Sequence, residues 1–369
     1  MKFFTLHVRL TRDCNADCTY CSSAGAEDGR MSAPDFRRAI DFLADQLLPR
    51  LGIGAQHHLT IEYLGGEVLL VPEVELQAAV EYARERLRPM VASLRDGAQS
   101  NLIGSPRRIT GLFDLFDGNL GTSWDQTTDR RRVGGSAEMY RGLLKRSLKT
   151  LEDERGARPG RVLVVDRATA PSVETEVRDA CAGGYDLVLR PVFEGGSEDV
   201  EAAPVEDLAR IFASAYQEWR ANPNCRVEPF SSLRARRAST RGLCRDDPEA
   251  GPRVTGCPFQ ADCAFRSISV DPDGALHVCQ EMADASNYPL GNAIHGYFDE
   301  KTWRLLARRS MHLSSDCIDC RWRAECGGGC MNEAIEANGD PFSRTELCPA
   351  WKAIFREIDA DLDHSSAKP

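Results

Sequence analysis

Three cysteines near the start of the chain have the spacing for iron–sulfur chemistry. Residues 12–21 read Arg-Asp-Cys-Asn-Ala-Asp-Cys-Thr-Tyr-Cys, so Cys14, Cys18 and Cys21 follow a C-x3-C-x2-C pattern directly after an apolar run, Phe3 to Leu10. Three thiolates on so short a loop can hold three corners of a four-iron, four-sulfur cube. The fourth iron then lacks a protein ligand, and a small molecule can take that place. The competing use of such thiols is zinc. Zinc sites favour paired C-x2-C spacings with a second pair nearby, and here only His57 and His58 follow within forty residues.

A second constellation fills the last third. Cys257 and Cys263 come first, then Cys279, then Cys317, Cys320, Cys326 and Cys330 in close succession, and finally Cys348. Eight cysteines suffice for two fully ligated cubes. In a run of four the last can serve a different cluster from the other three. A pair of four-cysteine zinc sites would use the same residues. These two groups take eleven of the fourteen cysteines, leaving Cys181, Cys225 and Cys244 isolated as ordinary thiols.

The 369 residues allow one large or two medium domains, and a composition 42% hydrophobic and 28% charged is ordinary for a globular protein. A formal net charge of -10 speaks against a nucleic-acid partner held by phosphate attraction. No apolar run approaches the ~20 residues that span a bilayer. Arg9, Arg12 and Asp13 interrupt any signal-peptide core. A cytoplasmic protein without a membrane partner is expected, and there fourteen cysteines point to metal rather than disulfides.

The elements that must position the first cysteines alternate. Ser32-Ala-Pro-Asp35 is a helix start, with apolar positions at Phe36, Ala39, Ile40, Leu43 and Leu47. Strands are expected at His58–Leu64, Asp96–Ser100, Asn119–Ser123, Arg161–Val165 and Leu187–Val192. Helices are expected at Glu73–Leu87, Pro106–Phe116, Ser136–Glu154 and Ser172–Ala182. Such alternation implies parallel strands with right-handed crossovers and a site at their carboxyl ends. We expect an α/β fold: a partial (β/α)6 TIM-type barrel over 1–195, a bridging helical segment over 196–250, and a small cysteine-rich α+β domain over 251–369. Ser267–Val270, the Asp271-Pro-Asp-Gly274 turn and Leu276–Val278 read as a β-hairpin. Val205–Arg220 reads as an amphipathic helix. The arginine-rich stretch 232–245 is read as a solvated basic face or as a docking patch for an acidic peptide.

The N-terminal motif, with its aromatic Tyr20 before the third cysteine, resembles that of the radical S-adenosylmethionine (SAM) enzymes. The C-terminal pattern resembles their SPASM extension, found in enzymes that modify peptides and proteins. The resemblance spans residues 3–355, with only the middle segment unmatched. It implies that SAM binds the open iron by its amino and carboxylate groups and is cleaved to a 5'-deoxyadenosyl radical. It also implies three four-iron, four-sulfur clusters. Cys257, Cys263, Cys279 and Cys330 would hold the inner auxiliary cluster, and Cys317, Cys320, Cys326 and Cys348 the outer one. Gly65-Gly66-Glu67 is similar to the family's turn at the SAM amino group. Gln99-Ser100-Asn101 and Ser123-Trp124-Asp125 are similar to its third and fourth strand ends. Arg132 stands near the arginine that reaches the SAM carboxylate, with Arg130 and Arg131 equally placed.

Within this family the resemblance is to maturases of ribosomally made peptides, which form carbon–carbon or thioether crosslinks, and to anaerobic sulfatase-maturating enzymes, which make formylglycine. In most members the radical takes a hydrogen from a peptide residue, and auxiliary clusters accept the electron that follows. Sulfatase maturases place an aspartate, their proposed base, where this chain has Gln280, an amide that cannot take a proton near neutral pH. That departure favours a crosslink in a precursor peptide, with Glu281 as the candidate base. An external electron donor of flavodoxin or ferredoxin type is implied. Leader recognition is expected to fall to a separate protein or to the arginine-rich surface. A non-enzymatic electron carrier is the remaining reading, and the open iron speaks against it.

Overall fold

The computed structural model describes residues 2–23, 29–192, 200–243 and 262–366. Six parallel strands follow the expected order: β1 (Lys2–Arg9), β2 (His57–Leu64), β3 (Ser93–Ser100), β4 (Leu120–Ser123), β5 (Gly160–Val165) and β6 (Leu187–Pro191). The helices between them start and stop on local signals. Ser32, Ser105 and Ser136 each accept a hydrogen bond from a backbone N–H three residues on, and Gly156 and Gly184 close helices in the left-handed conformation. The fold class expected from the sequence is the one observed, with two extensions.

First, β3 begins at Ser93 rather than Asp96, because Ser93, Leu94 and Arg95 pair with His58, Leu59 and Thr60. A seventh parallel strand, β7 (Val227–Glu228), adds to β6. Second, the C-terminal region continues the same sheet. The expected hairpin forms as β8 (Ser267–Val270) and β9 (Ala275–His277), and β8 pairs in parallel with the open edge of β1. Two short strands, β10 (Gly291–Asn292) and β11 (Tyr297–Phe298), complete an eleven-stranded sheet of order β11-β10-β9-β8-β1-β2-β3-β4-β5-β6-β7.

The C-terminal segment also grips the other end of the barrel. Its last helix, Cys348–Ser366, buries Trp351, Ile354, Phe355 and Ile358 in one core with Leu208, Phe212, Tyr216 and Trp219 of the Val205–Ala221 helix. A second core unites β1 and β2 with β8, β9, Met331 and Ile335. The cysteine-bearing region is thus fixed at both ends of the open sheet. Among the described residues no helix is long and apolar enough to cross a membrane.

This packing overturns both readings of the arginine-rich stretch over its described part. The Phe230–Thr240 helix turns arginines onto the C-terminal helix, where Arg234 Nε meets Asp361 at 2.6 Å and Arg237 Nε meets Asp359 at 2.7 Å, and onto the short Arg323–Cys326 helix, where Arg237 Nη1 meets Glu325 at 3.0 Å. Arg241 pairs with Asp363. These cations are a seam between this helix and two C-terminal segments, while Arg245 lies outside the described residues. Glu325 is 1% exposed, so removing Arg237 strands a buried charge. Arg237→Ala is expected to cost about 3 kcal/mol, the low end for a broken buried pair. A lower urea midpoint at unchanged slope is the readout.

Candidate functional site

The loop carrying Cys14, Cys18 and Cys21 leaves the carboxyl end of β1 and is pinched at its base. Thr11 and Arg30 form an antiparallel bridge, and Arg12 N donates to Gly29 O at 2.8 Å. Backbone from three other elements then holds the loop. Asp17 N and Thr19 N donate to the carbonyls of Arg132 and Arg130, each at 2.9 Å. Glu67 N donates to Asp13 O at 2.7 Å. Asn15 Nδ2 donates to Ile103 O at 2.9 Å, and its Oδ1 accepts from Asn101 Nδ2 at 2.7 Å.

All three cysteines line a cavity of about 1120 Å³ that runs along the inside of the barrel. Tyr20, Gly65, Gly66, Glu67, Asn101 and Ser123 line it too, as does Glu281 from the C-terminal region. Asp125 does not. It is buried and caps its own turn, accepting from Thr127 N at 3.1 Å and Thr128 N at 2.9 Å.

The arginine triplet is resolved by alternation. Because the carbonyls of Arg130 and Arg132 pair with the cysteine loop, only Arg131 points its side chain inward. It is buried, donates to Tyr20 Oη at 2.6 Å, lies 4.8 Å over the Tyr140 ring, and lines the cavity. Arg132, the expected contact, instead donates through Nε to Asp129 O at 2.6 Å. Arg130 Nε lies 3.3 Å from Asp166.

The glycines are required by the loop they face. A Cβ on Gly65, whose φ is +104°, would lie 2.0 Å from Arg9 Cγ, and one on Gly66 would lie 2.1 Å from Asp13 O. Glu67 turns its carboxylate into the protein, accepting from Asn101 N at 2.6 Å, Ser100 Oγ at 2.7 Å and Leu69 N at 2.9 Å. Burial nevertheless pushes its pKa up. Glu67 thus knots the ends of β2 and β3 beneath the cysteine loop.

Four charged residues outside the expected set complete the floor. Arg9 has no exposed surface; its Nη1 lies 2.6 Å from Asp284 and 3.3 Å from Asp271. Arg12 pairs with Asp271 and lies 3.5 Å from Asp284. Asp284 also accepts from Ser22 Oγ at 2.7 Å and Ser23 Oγ at 3.2 Å, so it ties the residues after Cys21 to the C-terminal region. With its amide oriented by its donors, Gln280 accepts from Arg9 Nη2 at 3.0 Å. Glu281 is paired with Arg190 of β6 across the cavity. The only sequence hint was a charged residue in a strand directly before the motif; the partners lie more than 250 residues away.

The donor chemistry fits a metal group. Burial, with Glu67 and the neighbouring thiols, pushes the Cys14 thiol up to about 11. In the C-terminal region Cys317, Cys320, Cys326 and Cys348 line one small pocket walled by Trp322, Trp351 and Phe355. Burial pushes Cys326 up to about 12. Among the described residues no three His, Cys, Asp or Glu side chains converge closely enough for a single ion. A cube instead takes each thiolate at a separate iron. Cys263, Cys279 and Cys330 are described, while Cys257 and Cys244 lie outside the described residues. Cys181 and Cys225, distant in sequence, come together with their sulfurs 3.5 Å apart.

Several solved structures share this fold. Native anSMEcpe with bound AdoMet superposes with a TM-score of 0.74 at 15% identity, covering 99% of this chain and 100% of that one. The same protein with bound AdoMet and the Kp18Cys peptide gives 0.73 at 15% identity, covering 98% and 99%. Streptococcus suis SuiB bound to precursor peptide SuiA gives 0.59 at 15% identity, covering 94% and 76%. No family model and no curated protein matches the sequence. The fold implied by the sequence resemblance is therefore the fold the chain has.

Proposed function

We propose that this protein is a radical SAM peptide maturase that installs a carbon–carbon or thioether crosslink in a ribosomally made precursor peptide. The observation that carries the reading is the shared cavity: Cys14, Cys18 and Cys21 open onto the same space as the Gly65-Gly66 turn, Arg131 and Glu281. The likeness of fold to proteins solved with AdoMet and with peptides supports it. With an electron from an external flavodoxin- or ferredoxin-type donor, the cluster and SAM would supply a 5'-deoxyadenosyl radical that takes a hydrogen atom from the peptide.

The chain's own residues do the rest. Arg131, inside the cavity, is suited to the SAM carboxylate, and Ser123 and Asn101 offer polar groups at neighbouring strand ends. The carbonyls around Gly65 and Gly66 are suited to an ammonium group. The substrate radical must shed one electron and one proton. The electron would pass to the auxiliary clusters held by Cys257, Cys263, Cys279 and Cys330 and by Cys317, Cys320, Cys326 and Cys348. The proton would go to Glu281, provided its pair with Arg190 opens when substrate enters.

The test is anaerobic reconstitution with iron and sulfide, then SAM and a reductant. Three cubes predict about twelve irons per chain, little zinc, and deoxyadenosine on reduction. About four irons with two zincs would remove the auxiliary clusters from the proposal. With a candidate precursor, a peptide two hydrogens lighter and unreactive toward an aldehyde probe is the expected product. An aldehyde product would mean formylglycine formation instead.

A further inference from the structure

Arg309 is a buried cation that no described carboxylate pairs. It has no exposed surface, and among the described residues no Asp or Glu pairs with it. Among the described residues its guanidinium is held by backbone oxygens alone. Nη2 donates to Gly328 O at 3.1 Å and Gly329 O at 3.4 Å, and Nη1 donates to Ser343 O at 3.0 Å and to Pro341 O. Among the described residues its Nε finds no acceptor. Carbonyl dipoles satisfy donors but do not neutralise a charge, and a lone ion removed from water is expensive.

The proposed auxiliary clusters would supply the missing counter-charge. Burial disfavours the Arg309 charge, and the thiols of Cys263, Cys330, Cys317 and Cys326 act against that effect. Two of the four carbonyls it grips, those of Gly328 and Gly329, belong to the Gly327-Gly328-Gly329 link between Cys326 and Cys330; the other two belong to Pro341 and Ser343. All three of those glycines have positive φ, 61°, 84° and 79°, a run of backbone that side-chain-bearing residues rarely adopt. Cys326 and Cys317 belong to one proposed cluster, and Cys330 and Cys263 to the other. The guanidinium therefore sits on the short link between ligands of two anionic groups.

We infer that Arg309 is a fixed positive charge shared by the two auxiliary clusters, which raises their reduction potentials and so favours their taking the substrate's electron. This rests on the iron–sulfur reading of the C-terminal cysteines. A nearby cation stabilises the more negative, reduced state, and net charge around a cluster is one of the factors that set its potential. In the step it assists, the substrate radical is oxidised by one electron and a cluster is reduced by one. The proton leaves to the base, and a flavodoxin- or ferredoxin-type acceptor reoxidises the cluster.

The test uses the full chain with Cys14, Cys18 and Cys21 changed to alanine, so that only auxiliary clusters give a signal. Iron content and potentials, followed by electron paramagnetic resonance, are measured for that parent and for Arg309→Gln and Arg309→Lys in it. The parent should hold about eight irons. Arg309→Gln should shift the reduction equilibrium of at least one cluster tenfold toward the oxidised state, 59 mV for one electron. Arg309→Lys should stay within threefold of the parent. Equal potentials in Arg309→Gln and the parent at equal iron would overturn the inference. A parent without auxiliary iron would instead remove the reading on which it rests. Should Arg309→Gln take up no iron, melting of the iron-free chains decides. An unchanged or higher melting temperature supports a charge that only the clusters need. A lower one overturns it, because the guanidinium would then merely stitch the glycine link.

Discussion

Asp284→Ala is expected to destabilise the folded chain by about 3 kcal/mol and to loosen the proposed N-terminal cluster. Breaking one partner out of a buried pair costs about 3–5 kcal/mol, because the remaining charge cannot reach water. Here Arg9, with no exposed surface, keeps only Asp271 at 3.3 Å and the Gln280 amide, which places the cost at the low end. The same substitution releases Ser22 and Ser23, the residues immediately after Cys21. Denaturant unfolding should show the first effect. The second should appear as loss of up to four of the twelve proposed irons, with those of the C-terminal sites kept. The double variant Arg9→Met/Asp284→Leu removes both charges and should recover most of the stability, since apolar replacement of a buried pair is often neutral. Equal stability of Asp284→Ala and the parent chain would mean that Arg9 is satisfied without Asp284.

Local signals were legible in this sequence and distant ones were not. The cysteine motifs, the helix starts at Ser32, Ser105 and Ser136, and the β8–β9 hairpin depend on neighbours in the chain, so spacing reveals them. The strand β7 is two residues long, too short for any periodic signal. The choice among Arg130, Arg131 and Arg132 depends on which carbonyls meet Thr19 and Asp17, residues more than a hundred positions away. The arginine-rich helix read as a surface because its acidic partners, Glu325, Asp359 and Asp361, come from the far end of the chain. Glu67 was legible as part of a motif, but its inward knot to Ser100 and Asn101 was not. Arg309 carries no signal at all, since backbone carbonyls are present at every residue and the counter-charges proposed for it would sit on clusters held by cysteines from separate stretches of the chain.

Gly66→Ala is expected to slow reductive SAM cleavage by at least about 10²-fold at unchanged iron content. The added Cβ would lie 2.1 Å from Asp13 O and 2.6 Å from the Arg12 carbonyl, both backbone, so no rotamer change can relieve it. Nor can the two segments simply part, because Glu67 N donates to Asp13 O at 2.7 Å across the same gap. The barrel core lies elsewhere, so the chain should fold, and the strain should displace the cysteine loop. A misplacement of about 1 Å in a reacting group can cost about 10²-fold in rate. The control is Gly104→Ala, whose Cβ would meet the tip of the Leu69 side chain at 3.3 Å, with Ile109 and Arg108 at ordinary contact distance. The Leu69 side chain can give, so the variant's rate should stay within about threefold of the parent, as for a tolerated small volume change. Equal deoxyadenosine formation by the two variants would show that the tight contact at Gly66 does not position the loop, and would leave the Gly65-Gly66 carbonyls as the turn's only stake in the site.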